Sequence, residues 1–319
     1  MDLLSELNRY FVERKWCQLL ELLHKKCFSD TETCVNFIIN NYSELLSKTH
    51  LHTLSNIISL ITDISPNHSL LKTGIDYLNS IEFRSTEQEE ALLTFNLNNE
   101  IINYKDNRNV YEYLKIKILD SCKERFYLLM FLYFDHSMDY TQAYKYLTLY
   151  LECLNLKKEF EKKYYEERKK ILYNNLAGIA LYSEDVYSFD NILTELEESE
   201  LKSLVYAYNI GDINYVNSKE HSFPKEKVYL ISLVKLTVYK RSISLNEISS
   251  FLKLDIKDVL FLVFKSLGKG LIKGYYNGKD NELYLHKSIN KAMNEEEIKE
   301  MKSKFEDWRN KVSKEIESI

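Results

Sequence analysis

Residues 255–286 read DIKDVLFLVFKSLGKGLIKGYYNGKDNELYLH, and their pattern is the strongest indication of the fold of the C-terminal part of the chain. Its first part, Asp255–Leu267, predicts an apolar helix that glycines close on its C-terminal side. Its second part predicts a hairpin, because two β-permissive runs, Leu271–Tyr276 and Glu282–His286, lie on either side of the turn Asn277-Gly278-Lys279-Asp280. The glycines expected at structural turns are Gly211, Gly268, Gly270, Gly274 and Gly278.

Two more helices are expected just before this stretch. The first is the strongly apolar segment Lys227–Lys240, and a short β-permissive run follows it at Ser242–Leu245. Asn246 is then placed to cap the second helix. Three helices followed by a two-stranded hairpin are the order of a winged helix, which we predict over residues 224–290.

Residues 1–223 are predicted to form an arm of short stacked helices. The whole chain has only 2 Pro and 7 Gly among 319 residues, too few for a turn-dense all-β fold. One amphipathic helix near the start is indicated by an apolar stripe that consists of Val12, Trp16, Leu19, Leu20 and Leu23. We therefore expect a mostly α fold in which TPR-like helical repeats form an α-solenoid. Because no strict repeat period is visible, this solenoid is expected to be irregular.

Capping signals mark two helix boundaries in this arm. Ser85, followed by Glu87 and Glu89, suits an N-cap with acidic residues in the first turn. Gly211 is expected to close one helix in the left-handed conformation, and Asp212 to cap the next one.

Residues 291–319 predict a last helix with a narrow apolar seam. The seam has the 3-4 spacing of a coiled coil or bundle and consists of Ile298, Met301, Phe305, Trp308 and Val312. This seam has two possible roles: packing back on the chain's own winged helix, or joining a bundle with helices of other chains. Its position beyond a finished small domain favours the bundle.

Composition narrows the classes of partner and compartment. The net charge of −5 and a pI near 5.9 argue mildly against a nucleic-acid partner. The five widely spaced cysteines are typical of reduced thiols in a cytoplasmic or nuclear protein. The longest apolar run, Phe126–Phe134, is far shorter than the roughly 20 residues that span a bilayer, so no membrane role is expected.

The third helix of the predicted winged helix is a poor candidate for reading DNA. Apolar residues surround the middle of Asp255–Leu267, so we expect this helix to be buried on all sides. A buried helix cannot lie in the major groove, and a winged helix that does not read DNA is expected to contact proteins.

One pattern resembles a metal site. His50-x-His52 followed by Asp63 has the spacing of the JAMM deubiquitinating metalloproteases, but Leu60 stands where their serine is expected. No phosphate-binding glycine loop or nucleophile elbow occurs either. We therefore expect no metal, no cofactor, no small-molecule substrate and no enzyme activity.

Helical repeats, a winged helix and a bundle helix, in this order, resemble the PCI family of the proteasome lid, the COP9 signalosome and translation initiation factor three. The string Gly270-Leu271-Ile272-Lys273-Gly274 resembles the helix-to-wing junction of this family, and Ile298–Lys302 with the seam is similar to the terminal helix of a lid subunit. Further strings similar to that subunit are Arg125-Phe126-Tyr127, Leu176-Ala177-Gly178 and Tyr206-Ala207-Tyr208-Asn209. A Trp-Val-Gln-Pro-Arg-like string usual in the family is replaced by Lys287-Ser288-Ile289-Asn290.

The resemblance implies a non-catalytic scaffold subunit of the regulatory-particle lid, acting in ubiquitin-dependent proteolysis through protein–protein contacts. The implied partners are other PCI and MPN subunits of the lid and a ubiquitin-receptor subunit. The end of the arm would form the helical half of the PCI domain. Sheets of neighbouring winged helices would join along an unpaired edge strand that consists of Glu282, Leu283, Tyr284, Leu285 and His286. A PCI subunit of the signalosome or of the initiation factor remains the alternative.

Overall fold

The computed structural model describes residues 2–81, 85–104, 122–155, 159–238, 240–288 and 295–317. These residues are mostly α-helical, as predicted. The chain divides into two compact units, Met1–Ile179 and Ala180–Ile319. The division at residues 223 and 290, drawn from sequence pattern, stays a prediction.

The first unit is built from short helices. Its elements are α1 (Leu3–Val12), α2 (Trp16–Lys26), α3 (Thr31–Asn40), α4 (Tyr42–Lys48), α5 (Leu51–Ile64), α6 (His68–Asn79), α7 (Thr86–Ile102), α8 (Lys123–His136), α9 (Tyr140–Asn155) and α10 (Glu159–Tyr182), whose end belongs to the second unit.

The N-terminal apolar stripe is divided between two helices, so the single helix predicted there is wrong. Helix α1 ends at Val12, whose side chain is exposed, and Arg14 has a φ of 55°. The left-handed residue reverses the chain, and the Lys15 N–H donates to the Tyr10 carbonyl at 2.9 Å. The apolar spacing does not reveal this turn, because α2 resumes the stripe with its own buried residues, among them Leu19.

The predicted caps are confirmed where they depend on neighbouring residues. The Ser85 hydroxyl accepts from the Gln88 N–H while the Gln88 side chain accepts from the Ser85 N–H, which makes a capping box at α7. Gly211 has a φ of 69°, and the Asp212 carboxylate accepts from the Tyr215 N–H at 3.0 Å.

A buried ion cluster joins three helices of the first unit. The Arg125 guanidinium on α8 donates two hydrogen bonds, of 2.6 and 2.9 Å, to the Asp63 carboxylate on α5. Their side chains are only 5% and 3% exposed. Arg168 on α10 approaches the same carboxylate at 3.2 Å. Since a buried carboxylate without a partner is costly, a packing of these helices that separated Asp63 from both arginines would be disfavoured.

The second unit continues with helices and then a small sheet. Its elements after α10 are α11 (Asp190–Leu193), α12 (Glu200–Ile210), α13 (Ile213–Ser218), α14 (Glu226–Thr237), β1 (Ser242–Ser244), α15 (Leu245–Leu252), α16 (Ile256–Gly268), β2 (Ile272–Asn277), β3 (Glu282–Ser288) and α17 (Glu295–Glu317).

The three described strands form one antiparallel sheet in the order β1-β3-β2. Its inner face and helices α14 to α16 enclose a core that includes Leu233, Ile248, Val263 and Leu283. The predicted order of three helices and a hairpin is therefore present over this region. Its assignment as a winged helix stays a prediction.

Two details of this region differ from the sequence prediction. The cap of α15 is Ser244, whose hydroxyl accepts from the Glu247 N–H at 3.2 Å, and not Asn246. The hairpin loop is four residues long, from 278 to 281, where the predicted turn was Asn277–Asp280, and its left-handed residue is Asn281 with a φ of 54°. A two-residue Asn-Gly turn needs positive φ at both central residues, and this longer loop does not use that geometry.

Two lysines fasten the end of α10 to the helices around the sheet. Lys227 on α14 is buried, and its Nζ donates to the carbonyl of Ala180 at 2.6 Å and to the carbonyl of Ser183. The Lys269 Nζ donates to the Glu184 carbonyl at 3.0 Å. Both acceptor sites lie at or just after the C-terminal end of α10, where helix carbonyls are left without partners. These contacts join the end of α10 to elements of the second compact unit.

Candidate partner interface

The C-terminal helix α17 carries the predicted seam on a helix that is exposed where its side chains are described. Phe305 and Trp308 are 62% and 65% exposed, and Val312 is also exposed. The side chains of Ile298 and Met301 lie outside the described residues. The three described seam residues therefore do not pack on the core of the second unit.

Such exposure is unusual for large apolar side chains at heptad spacing. Burying a Phe, a Trp and a Val would contribute roughly 4–9 kcal/mol before ordering costs are subtracted. The remaining described residues of α17, from Lys302 to Ser313, are polar or charged and exposed. The arrangement is that of an amphipathic helix whose described apolar side chains are exposed.

The predicted edge strand is not an edge. Glu282–Tyr284 of β3 pair with β1 on one side and with β2 on the other, and the Leu285 N–H donates to the Arg241 carbonyl at 2.8 Å. The prediction of an unpaired edge at 282–286 is therefore wrong. Its physical reason is that β1, which precedes two helices in sequence, folds back beside β3 and occupies the position left for a partner strand. Among the described strands, the outer ones are β1 and β2.

The five residues predicted for the strand interface have different environments. Leu283 is fully buried in the core, and Leu285 packs against it. Tyr284 lies on the outer face, where its ring stacks on that of Tyr275 at 5.2 Å between centroids. His286 is exposed, with its ring 5.9 Å from that of Tyr275. Whether any of them contacts a partner stays a prediction.

Gly274 has a steric role in the sheet. A Cβ placed on it would overlap the backbone oxygen of Tyr284 on β3, and the strand register shifts between Lys273 and Gly274. The glycine therefore allows the two backbones to approach at an irregularity in the ladder. Gly270, in the same string, has a φ of 70° and lets the chain turn from α16 into β2.

Helix α16 has an exposed apolar face, so the expectation that it is buried on all sides is wrong. Its inner face, with Val259, Leu262 and Val263, belongs to the core. On the outer face Phe261, Phe264 and Ile256 are each at least half exposed. A domain this small covers only one side of the helix. The outer face suits contact with protein better than contact with phosphates, because its largest exposed side chains are apolar.

The metal-like pattern does not form a cluster. His50 lies at the N-cap of α5 and Asp63 near its C-terminal end, thirteen positions later, which is about 20 Å along a helix. Asp63 is held by Arg125 and Arg168. Among the residues that the structure describes, no group of three or more His, Cys, Asp or Glu side chains is placed to hold a metal.

Within the described ranges, no helix is both long enough and apolar enough to span a membrane.

Comparison with known proteins points to one complex. No family model matches the chain. It is 23% identical over 366 aligned positions to the 26S proteasome regulatory subunit RPN9 of Saccharomyces cerevisiae, covering 98% of this chain and 90% of the relative. It is 21% identical to the probable regulatory subunit rpn9 of Schizosaccharomyces pombe and 27% identical to the 26S proteasome non-ATPase regulatory subunit 13 of Dictyostelium discoideum, each over 56% of this chain.

The matched part spans about half the length of the last two relatives, 52% and 53%. All three relatives are named as regulatory subunits of the proteasome, and the predicted resemblance to one such subunit is confirmed. Since no family model matches, membership of the PCI family stays a prediction.

Proposed function

We propose that this chain is a non-catalytic scaffold subunit of the lid of the proteasome regulatory particle. The observation that carries the proposal is the similarity to a proteasome regulatory subunit along 98% of the chain. The exposed seam of α17 supports it, because a scaffold must offer surfaces that are covered only in the assembly. The partners proposed are other PCI and MPN subunits of the lid and a ubiquitin-receptor subunit, in the cytoplasm and nucleus.

The C-terminal helix is the proposed main contact. Phe305 and Trp308 are large, exposed and on one face of α17, and aromatic side chains of this kind dominate the binding energy of many interfaces. A bundle with helices of other subunits would cover this face. The described seam residues do not pack on the core of their own unit, which favours a bundle over folding back.

The sheet and helix α16 are the proposed second contact. The outer edge of β2 can accept a strand from a neighbouring subunit, which replaces the β3 edge expected from sequence. The apolar outer face of α16, with Phe261 and Phe264, would lie beside such a contact or form another one. An apolar face of this kind argues against duplex DNA as the partner of α16.

The alternative, a PCI subunit of the COP9 signalosome or of translation initiation factor three, has less support. The relatives of this chain reported above are all named for the proteasome. The experiment that separates these assemblies identifies the proteins that co-purify with the chain.

The test uses the full chain, tagged and purified from native extract, with mass spectrometry of its partners. We expect proteasome regulatory subunits with the unchanged chain and their loss with the double variant Phe305→Ala/Trp308→Ala. A matched control replaces two exposed apolar residues elsewhere, Val12→Ala/Met138→Ala, and should keep the partners. Signalosome or initiation-factor subunits in their place would support the alternative, and full retention by the double variant would contradict the role of α17.

A further inference from the structure

Between residues 302 and 311, the charges beside the seam of α17 are of one sign. When the seam residues Phe305, Trp308 and Val312 are placed at the a and d positions of a heptad, the flanking e and g positions follow from the spacing. These flanking positions between residues 302 and 311 are Lys302, Lys304, Arg309 and Lys311. All four side chains are exposed.

The acidic residues of the same stretch lie elsewhere on the helix. Glu306 and Asp307 occupy outer positions, on the side of α17 away from the seam. Within this stretch charge is thus separated by position: cations border the seam on both sides, and carboxylates face outward. Before it, Glu295 and Glu297 occupy e and g positions. In a helix pair the e and g residues meet the partner's flanking residues, while outer residues stay in solvent.

We propose that the partner helix covering this seam is amphipathic and carries Glu or Asp at the positions that flank its own apolar stripe. The inference rests on the proposed role of α17 as a bundle helix and adds the chemistry of its partner. Opposite charges at these positions select the partner and its orientation, whereas like charges exclude others.

A second copy of this chain, paired in parallel, fits residues 302–311 of the seam poorly. If two α17 helices pair in parallel and in register, the g position of one heptad meets the e position of the partner's next heptad, so Lys304 faces Arg309 twice. In the same pair Glu297 faces Lys302, which offsets part of this repulsion. The like charges of Lys304 and Arg309 disfavour a parallel self-pair over residues 302–311.

A membrane surface is also a weaker candidate. A helix that lies on anionic lipid presents a broad apolar face and a cationic polar face. The seam of α17 is narrow, and Glu306 and Asp307 stand where such a helix would need cations. These features favour a protein helix with acidic flanks.

The test uses the full chain and two synthetic amphipathic helices, each four heptads long with the same Ile and Leu seam. One probe has Glu at every e and g position, and the other has Lys there. Fluorescence anisotropy at low salt should show the Glu probe binding about tenfold more tightly than the Lys probe, since four exposed charge pairs each add a small increment. The difference should shrink in high salt.

Variants locate the effect. Lys304→Glu/Arg309→Glu should reverse the preference between the probes. The matched control Lys257→Glu/Lys273→Glu changes the net charge equally at exposed sites away from α17 and should keep the preference. Phe305→Ala/Trp308→Ala should abolish binding of both probes.

Three results with the probes would overturn the proposal: equal affinity of the chain for both, a preference for the Lys probe, or binding of neither probe. A fourth is that the chain binds vesicles containing phosphatidylserine and shows no preference between the probes. Equal affinity that is still lost in Phe305→Ala/Trp308→Ala would refute only the partner's charge and leave the scaffold role of the seam intact. The scaffold role of the seam is tested separately, by whether lid subunits still co-purify with the Phe305→Ala/Trp308→Ala variant.

Discussion

The buried ion cluster of the first unit should control its stability, and Arg125→Met tests this directly. The Arg125 guanidinium makes two hydrogen bonds to Asp63, and both side chains are at most 5% exposed. Methionine removes the charge and both bonds while filling much of the same space. Asp63 then keeps its contact with the less buried Arg168 at 3.2 Å.

Removing one partner of a buried ion pair costs about 3–5 kcal/mol, whereas an exposed pair contributes at most about 1 kcal/mol. Because Arg168 still faces Asp63, we expect Arg125→Met to lower the free energy of unfolding by about 3 kcal/mol, the lower end of the buried range. The measurement is urea unfolding of the full chain followed by far-ultraviolet circular dichroism, with the slope of the transition compared between variants.

A control and a second variant identify the cause. Arg9→Met breaks an exposed pair, in which Arg9 and Glu6 are 3.9 Å apart, and should cost less than about 0.5 kcal/mol. The double variant Asp63→Leu/Arg125→Met leaves no unpaired carboxylate and should be more stable than Arg125→Met alone. A loss below about 1 kcal/mol for Arg125→Met would refute the reasoning. A double variant as unstable as the single one would show that lost packing, not the unpaired carboxylate, is the cause.

Three more predictions concern the second unit. Burial lowers the pKa of Lys227 from 10.5 to about 7, so between these pH values the folded state binds fewer protons than the unfolded state. The free energy of unfolding should therefore rise by about 2 kcal/mol from pH 7 to pH 9. Lys227→Met should remove most of that rise in urea titrations at the two pH values, and a flat wild-type profile would contradict it. Gly274→Ala should destabilise the protein by about 2–3 kcal/mol in thermal unfolding, because the added Cβ overlaps the Tyr284 backbone. The control Gly178→Ala has open space for its Cβ and should not destabilise, so equal effects of the two variants would count against the steric role of Gly274. Phe305→Ala/Trp308→Ala should leave the free energy of unfolding within about 0.5 kcal/mol of wild type, since both side chains are exposed, and a larger loss in chemical denaturation would mean that the seam packs on its own chain.

Sequence reasoning succeeded where a few neighbouring residues decide the geometry. Ser85 caps α7, Gly211 closes α12, and Asp212 caps α13, because each depends on residues no more than four positions away. It failed at Val12 and Arg14, where a left-handed residue divides a stripe that reads as one helix. The spacing of apolar residues indicates which side chains are buried, and it does not indicate where the chain turns between them.

Some parts of the candidate interface could likewise be predicted from sequence and others could not. The seam of α17 could be read from its 3-4 spacing, and Phe305, Trp308 and Val312 are exposed along one helix. The strand interface was placed on the wrong edge, because the position of β3 depends on whether β1 returns to pair with it. The exposed outer face of α16 was not predicted. An apolar helix in a small domain can be covered by the core on one side and stay exposed on the other.

Residue type and short spacing were therefore enough to predict the helical class, the local caps, the amphipathic seam and the resemblance to a proteasome subunit. Three features depend on long-range packing and were not predictable: the central place of β3, the contacts of Asp63 with Arg125 and Arg168, 62 and 105 positions away, and the hydrogen bonds of Lys227 at the end of α10. These contacts join segments distant in the chain, and which distant groups meet is decided by the packing of the whole unit. No pattern within one segment contains that information.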